Sequence, residues 1–212
     1  MRLLYKRPMD LSILIIAHLF PPLTLIWLFI WVTVPIGIWI QDRGPVFYLQ
    51  ERIGKNGKLF TIRKFRTMIP NAESSTGAVW SSKNDARITT IGKFLRWTAI
   101  DELPQLWNIL KGEMTLVGPR AERPELHKKF VNDIPGFEER ITITPGLTGL
   151  AQIKGSYDLS PDKKLHYDLM YIDQMSLTLD IKIIIVSICN TLFAKWGHPT
   201  TLESPSSPNE PK

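Results

Sequence analysis

From Leu11 to Ile40 the chain carries no Asp, Glu, Lys or Arg. Crossing a bilayer takes about 20 apolar residues. A straight helix over the whole run would reach about 45 Å, well beyond a ~30 Å hydrocarbon core. Pro21-Pro22 interrupts the run a third of the way in, and each proline removes a backbone donor and crowds the preceding turn. Basic residues flank both ends: Arg2, Lys6 and Arg7 before it, and Arg43, Arg52, Lys55 and Lys58 after it. Such flanks stay on the cytoplasmic side. A single crossing satisfies one flank, whereas a helix-break-helix that enters and returns satisfies both. The pattern predicts a re-entrant membrane segment with its break at Pro21 or Pro22. A simple span and a buried core segment are the alternatives. The apolar stretch is too long for a signal peptide, and no small-residue cleavage site follows it.

Further along, the period changes. Val46-Phe47-Tyr48-Leu49 and Leu59-Phe60-Thr61-Ile62 are strand-like, and Asn56-Gly57 between them signals a tight turn. Val46 to Arg66 is therefore predicted as a β-hairpin, and the polar stretch 71–86 as a loop. A short helix fits Ile91 to Trp97. Leu103, Leu106, Trp107 and Leu110 fall at i, i+3, i+4 and i+7, which predicts a helix. Asp101 is its candidate N-cap, Pro104 sits in its first turn, and Lys111-Gly112 is its stop. Turn-rich segments follow at Gly118-Pro119-Arg120 and Pro145-Gly146-Leu147-Thr148-Gly149. Two more helices fit Pro161 to Met175 and Asp180 to Phe193. The latter places Ile181, Ile184, Ile185, Ile188 and Leu192 on one face, suited either to the core or to a membrane surface. Residues 198–212 are rich in Pro and Ser and predicted as a disordered tail. Together these elements make a helix-rich α+β chain.

Charge narrows the partners. The net charge of +6 implies something anionic: nucleic acid, lipid head groups or phosphorylated substrates. A nucleic-acid partner fits poorly with so long an apolar run. The single cysteine, Cys189, excludes an internal disulfide and a multi-cysteine metal site; its apolar surroundings suggest a small buried hydrophobe. Neither a P-loop nor a Gly-x-Gly-x-x-Gly fingerprint is present, and the four histidines lack metal-ligand spacing.

Within this basic chain, adjacent Asp101 and Glu102 stand out. A helix cap with a favourable first-turn carboxylate accounts for such a pair. So does a carboxylate nucleophile or metal-binding pair for phosphoryl chemistry. Around it lie Lys64 and Arg66, Arg96, and Gly118-Pro119-Arg120, the residue types that clamp phosphate oxygens. A diphosphate substrate calls for an acidic group, a hard cation and basic clamps in one place.

The ordered set of short motifs resembles the bacterial sugar transferase family, the monotopic polyprenyl-phosphate phosphoglycosyl transferases in their minimal form. The matching segments begin with Lys6-Arg7-Pro8-Met9-Asp10, Gly44-Pro45-Val46-Phe47 and Gln50-Glu51-Arg52-Ile53-Gly54. Lys64-Phe65-Arg66-Thr67-Met68, Arg87-Ile88-Thr89 and Asp101-Glu102-Leu103-Pro104-Gln105 follow. Val117-Gly118-Pro119-Arg120 and Pro145 to Gly149 complete the series. Pro21-Pro22 stands where Ser-Pro is frequent in the family, Ala121 where proline is usual, and Leu150 where Trp is common.

The resemblance implies a re-entrant helix over 1–43 and a cytosol-facing catalytic domain over 44–197, with amphipathic helices at the surface of the bacterial inner membrane. It implies Mg²⁺ held by Asp101 and Glu102, a UDP-sugar donor and a polyprenyl phosphate acceptor. Asp101 would attack the β-phosphate and release UMP, and polyprenyl phosphate would then take the phosphosugar. Lys64, Arg66, Arg96, Gly118, Pro119 and Arg120 would bind substrate. A non-catalytic basic membrane adaptor is the reading from another class.

Overall fold

The computed structural model describes residues 4–73, 85–155 and 159–193. Arg2, most of the loop expected over 71–86 and the tail over 198–212 lie outside the described residues. The apolar run forms two helices, α1 (Lys6–Leu19) and α2 (Pro21–Asp42), with Phe20 extended between them at φ −70° and ψ 114°. Pro21 and Pro22 open α2, where a missing N–H leaves no intrahelical bond unmade. The bend is sharp. Trp27 Nε1 donates to the Ala17 carbonyl at 2.9 Å, and its ring stacks on His18 with centroids 4.5 Å apart. A straight helix would separate residues 18 and 27 by about 13 Å.

Both ends of this helical hairpin sit on one globular body. Met9 and Leu14 of α1 and Ile38 of α2 are buried in its core. Between them, Ile15, Ile16, Leu19, Phe20, Leu25, Leu28, Phe29 and Val32 are exposed. α2 is long and apolar enough to cross a membrane, and only Ile38 along it is buried. A helix apolar on all sides and uncovered by protein fits a lipid solvent.

The predicted β-hairpin forms as strands β1 (Phe47–Ile53) and β2 (Leu59–Phe65), antiparallel from Phe47↔Phe65 to Ile53↔Leu59. Asn56 and Gly57 both take positive φ, 54° and 79°, as a type I′ turn requires. α3 (Thr90–Trp97) starts at Thr89, whose side chain accepts from Gly92 N–H. A 3₁₀ turn over Ile100–Gln105 leads into α4 (Leu106–Lys111). Next come β3 (Thr115–Val117), α5 (Pro124–Asp133) and a 3₁₀ turn over Phe137–Thr142. β4 (Gly146–Thr148) pairs with β3 in parallel, and α6 (Leu150–Lys154), α7 (Pro161–Gln174) and α8 (Leu177–Leu192) complete the body. The main core joins Phe60 and Ile62 of β2, Leu106 and Ile109 of α4, Leu116 and Val117 of β3, Ile153, Tyr171 and Ile183.

The structure corrects the Asp101 cap and the burial of Cys189, and shows which helix faces point inward. Asp101 is not an N-cap: Ala99 precedes the 3₁₀ turn in the left-handed region, and no side chain caps it. Pro104 supplies no donor, so the regular helical ladder starts only at Leu106. In α4, Leu106 and Ile109 are buried while Trp107 and Leu110 are about half exposed. In α8 the inward face is Asp180, Ile183 and Asn190, and Ile181, Ile185, Ile188 and Leu192 point outward. Cys189 is exposed rather than buried.

Candidate active site

Asp101 and Glu102 lie on the 3₁₀ turn, which packs against β2. Asn108, fully buried on α4, fixes this contact. Its Nδ2 donates to the Thr61 carbonyl at 2.8 Å and its Oδ1 accepts from Arg63 N–H at 3.3 Å. β2 thereby delivers Lys64 to Glu102, with Nζ 2.6 Å from Oε1. Arg120 reaches the same oxygen from the other side, its Nη2 at 2.7 Å. One carboxylate oxygen thus holds two cations from segments far apart in sequence.

The loop bearing Arg120 is set by backbone contact. Gly118 N–H donates to the Thr148 carbonyl and Gly146 N–H to the Pro119 carbonyl, each at 2.9 Å. A Cβ on Gly146 would stand 2.0 Å from the Gly118 nitrogen, so only glycine lets these chains approach. Gly118 and Pro119 therefore aim Arg120 through their backbone. Buried Arg140 supports the same loop: Nη2 donates to the Arg120 carbonyl at 3.0 Å and to Asp168 Oδ2 at 2.6 Å.

Arg96 comes from α3. Gly92 allows that helix to lie on the backbone of Thr67, where a Cβ would meet the carbonyl oxygen at 2.0 Å. Arg96 Nε donates to Thr67 Oγ1 at 2.8 Å, and its charge is felt at Asp101. Arg66 goes elsewhere. Its side chain is buried against Asp42 at the end of α2. Five of the residues singled out from sequence therefore converge: Asp101, Glu102, Lys64, Arg96 and Arg120.

The two carboxylates differ in character. Burial raises the pKa of Asp101 to about 6, against the favourable fields of Lys64, Arg96 and Arg120; the Glu102 charge adds to the rise. Burial also opposes ionisation of Glu102, but Arg120 and Lys64 outweigh it and hold this group well below the usual carboxylate range. Glu102 is a fixed anion locked between cations. Asp101 is 8% exposed, and no hydrogen bond to its carboxylate is present among the described residues. It is the free carboxylate of the pair.

Among the described residues no three His, Cys, Asp or Glu side chains gather as an all-protein metal cage would require. Two adjacent carboxylates instead match the way Mg²⁺ is commonly held, by one or two carboxylates with substrate phosphates and water completing the shell.

Lys6 and Asp10, present in the first matching motif but given no site role from sequence, join the unforeseen Tyr171 and Asp180 in a buried polar cluster. Lys6 Nζ lies 2.8 Å from Asp180 Oδ2 and donates to the Val117 carbonyl at 2.7 Å. The available signal was Asp180 itself, an isolated carboxylate at the head of an otherwise apolar helix, which when buried requires a partner.

Comparison with known proteins gives a consistent result. Residues 1–194 match the family described as bacterial sugar transferase. The chain is 39% identical over 196 residues to the UDP-N-acetylgalactosamine-undecaprenyl-phosphate N-acetylgalactosaminephosphotransferase of Aeromonas hydrophila, covering 91% of this chain and 44% of that protein. It is 55% identical over 104 residues to a putative undecaprenyl-phosphate N-acetylgalactosaminyl 1-phosphate transferase of Bacillus subtilis, covering 49% of this chain and 58% of that one. To the UDP-glucose:undecaprenyl-phosphate glucose-1-phosphate transferase of Xanthomonas campestris pv. campestris it is 37% identical over 170 residues, covering 78% of this chain and 35% of the relative. The chain thus spans less than two thirds of the length of each of these relatives. With the family matched across nearly the whole chain, and its ordered motifs converging on one acidic pair, this protein belongs to the bacterial sugar transferase family.

Proposed function

We propose that this protein transfers a sugar 1-phosphate from a UDP-sugar to undecaprenyl phosphate, giving the polyprenyl-diphosphate sugar and UMP. This is the opening membrane step in building a bacterial surface glycan. The observation that carries the reading is the division of labour in the acidic pair: Glu102 locked by Lys64 and Arg120, with Asp101 free beside it. The donor's diphosphate is drawn in by Lys64, Arg96 and Arg120, which offset its charge. An Asp101 oxygen attacks the β-phosphorus, and the bond to the bridging oxygen breaks, releasing UMP. The phosphosugar is left on Asp101 as an acyl phosphate. An oxygen of undecaprenyl phosphate then attacks the same phosphorus, and Asp101 departs as a carboxylate. Splitting the transfer lets one small site serve a soluble donor and a lipid acceptor in turn.

Asp101 and Glu102 would hold Mg²⁺ against the diphosphate. Bound there, the ion would supply positive charge to offset the phosphates and the departing UMP.

The site must meet its lipid acceptor at a bilayer. Under this reading α1 and α2 enter the membrane and return to the cytoplasmic face. The outward apolar residues of α3 (Phe94, Trp97), α4 (Trp107, Leu110) and α8 (Ile181, Ile185, Ile188, Leu192) rest on its surface. Arg63 and Lys111 flank the Trp107 ring, 6.0 and 5.9 Å from its centroid, a pairing suited to the head-group layer. In a Cys189→Ser background, cysteines at exposed Leu4 and Lys55 should both resist a membrane-impermeant thiol reagent in intact cells. Both should react once the membrane is opened. Labelling of Leu4→Cys alone from outside would mean a full span. Replacing Pro21 and Pro22 by Ala should push the segment towards that span.

The activity itself is tested with purified protein in lipid, undecaprenyl phosphate, Mg²⁺ and a panel of UDP-glucose, UDP-galactose and UDP-N-acetylgalactosamine. Acceptor-dependent release of UMP from at least one donor is expected. No release from any UDP-sugar would favour the adaptor reading.

A further inference from the structure

The residues that seat the membrane hairpin also touch the segments that carry the site's cations. At the N-terminal end Lys6 is buried, and its ammonium meets Asp180 Oδ2 at 2.8 Å, the Tyr171 hydroxyl at 2.5 Å and the Val117 carbonyl at 2.7 Å. The Tyr171 hydroxyl donates its one proton to Asp180 Oδ1 at 2.6 Å, with the Val117 carbonyl 3.1 Å away. Asp10 accepts from Leu116 N–H at 3.0 Å and from Thr115 Oγ1 at 2.7 Å. Lys6 and Asp10 thus both bond β3, which ends at Val117 and leads directly into Gly118-Pro119-Arg120, while Tyr171 and Asp180 hold the Lys6 ammonium in place. Arg7 meanwhile donates to the carbonyls of Ile109 and Leu110, at the end of the helix that follows the acidic turn.

At the C-terminal end, Asp42 pairs with Arg66, two residues beyond Lys64, and Gln41 Oε1 accepts from the N–H of Ile91 on the helix that carries Arg96. The hairpin therefore grips both sides of Glu102: α1 holds the Arg120 side and α2 the Lys64 side. A membrane anchor needs only apolar surface. Here its two ends instead bind the backbone and side chains next to the phosphate clamps, and at the N-terminal end the bonds of Lys6 and Asp10 are charged and buried, which tolerates little displacement.

We infer that Lys6, with Tyr171 and Asp180, is a positioning residue for phosphoryl transfer, setting where Arg120 stands relative to Lys64 across Glu102. This rests on the phosphosugar-transfer reading above. Deleting the Lys6 ammonium alone would strand Asp180 as a buried unpaired charge, so the informative variants keep the charge balanced. Lys6→Met/Asp180→Asn removes both members, and Tyr171→Phe removes one hydroxyl from an intact ring. Each is compared with wild type in lipid, with thermal unfolding and with kcat and KM for the best donor of the panel. The geometry predicts folded variants whose kcat/KM falls roughly 10- to 100-fold, with KM for the UDP-sugar raised. A purely structural role would reduce the fraction of active enzyme and leave KM where it was. If the double variant fails to fold, Tyr171→Phe alone decides. Wild-type KM in the folded variants overturns the inference while leaving phosphosugar transfer standing. Wild type that releases no UMP overturns the functional reading instead.

Discussion

Asp101→Asn should abolish transfer while leaving the protein as stable as wild type or more so. The amide keeps the shape of the side chain but offers no anionic oxygen to phosphorus, so no route through a covalent intermediate remains. The stability half follows from burial. Asp101 is 8% exposed and its pKa is raised from 3.8 to about 6, so the fold disfavours its charge. A shift of that size corresponds to up to about 3 kcal/mol of strain in the ionised state. The sign is definite: the folded pKa lies above the unfolded one, so the penalty is absent below the unfolded value and fully developed once pH exceeds the folded value. Asn removes it. With Mg²⁺ chelated, Asp101→Asn should melt above wild type at pH 7.5, and the difference should close as pH falls towards 4. A loss of stability at pH 7.5 would mean that Asp101 supports the fold through contacts beyond those described. A cap role would also have required a side-chain hydrogen bond at the start of the 3₁₀ turn, and none is present.

Lys64→Ala and Arg120→Ala should each lower kcat/KM by roughly 30- to 1000-fold, the cost of about 2–4 kcal/mol for losing a charged hydrogen bond. Each also removes one of the two cations that fix Glu102. Arg120→Lys should restore only part of the loss, because an ammonium cannot reproduce the guanidinium fork. Arg66→Ala should behave differently. Its side chain is buried against Asp42, so the variant should lose thermal stability first and activity as a consequence. Steady-state kinetics beside melting curves separates the two patterns. Near-normal turnover in folded Lys64→Ala or Arg120→Ala would remove that residue from the phosphate clamp.

Much of this site was legible in the sequence because its parts lie in short, turn-bounded motifs. Asn56-Gly57 announced the hairpin that presents Lys64, and Pro21-Pro22 marked the bend between α1 and α2. Asp101-Glu102 stood out as an acidic pair in a basic chain. What the sequence left open has a shared physical cause. Helical periodicity reports where apolar residues recur, not what covers them. In α8 it placed Ile181, Ile184, Ile185, Ile188 and Leu192 on one face without deciding between core and membrane surface; Ile181, Ile185, Ile188 and Leu192 face outward, and the buried face is Asp180, Ile183 and Asn190. In α4 the same periodicity found the helix but not that Trp107 and Leu110 are about half exposed. In a chain with much exposed apolar surface, polar residues can mark the protein core, because their partners are there. Lys6 illustrates this: read as a flanking charge, it is buried and paired with a residue 174 positions away. Arg66 looked equivalent to Lys64 two residues earlier, and only the return of α2 to the globular body supplies the Asp42 that claims it.

The central claim is that Asp101 accepts the phosphosugar. Incubating the protein with a productive UDP-sugar and Mg²⁺, without acceptor, and weighing the intact chain by mass spectrometry tests this directly. A mass increase of one phosphosugar is expected, mapped by peptide analysis to Asp101, absent from Asp101→Asn and discharged by adding undecaprenyl phosphate. Substantial turnover by Asp101→Asn, or an adduct mapped to another residue, would contradict it.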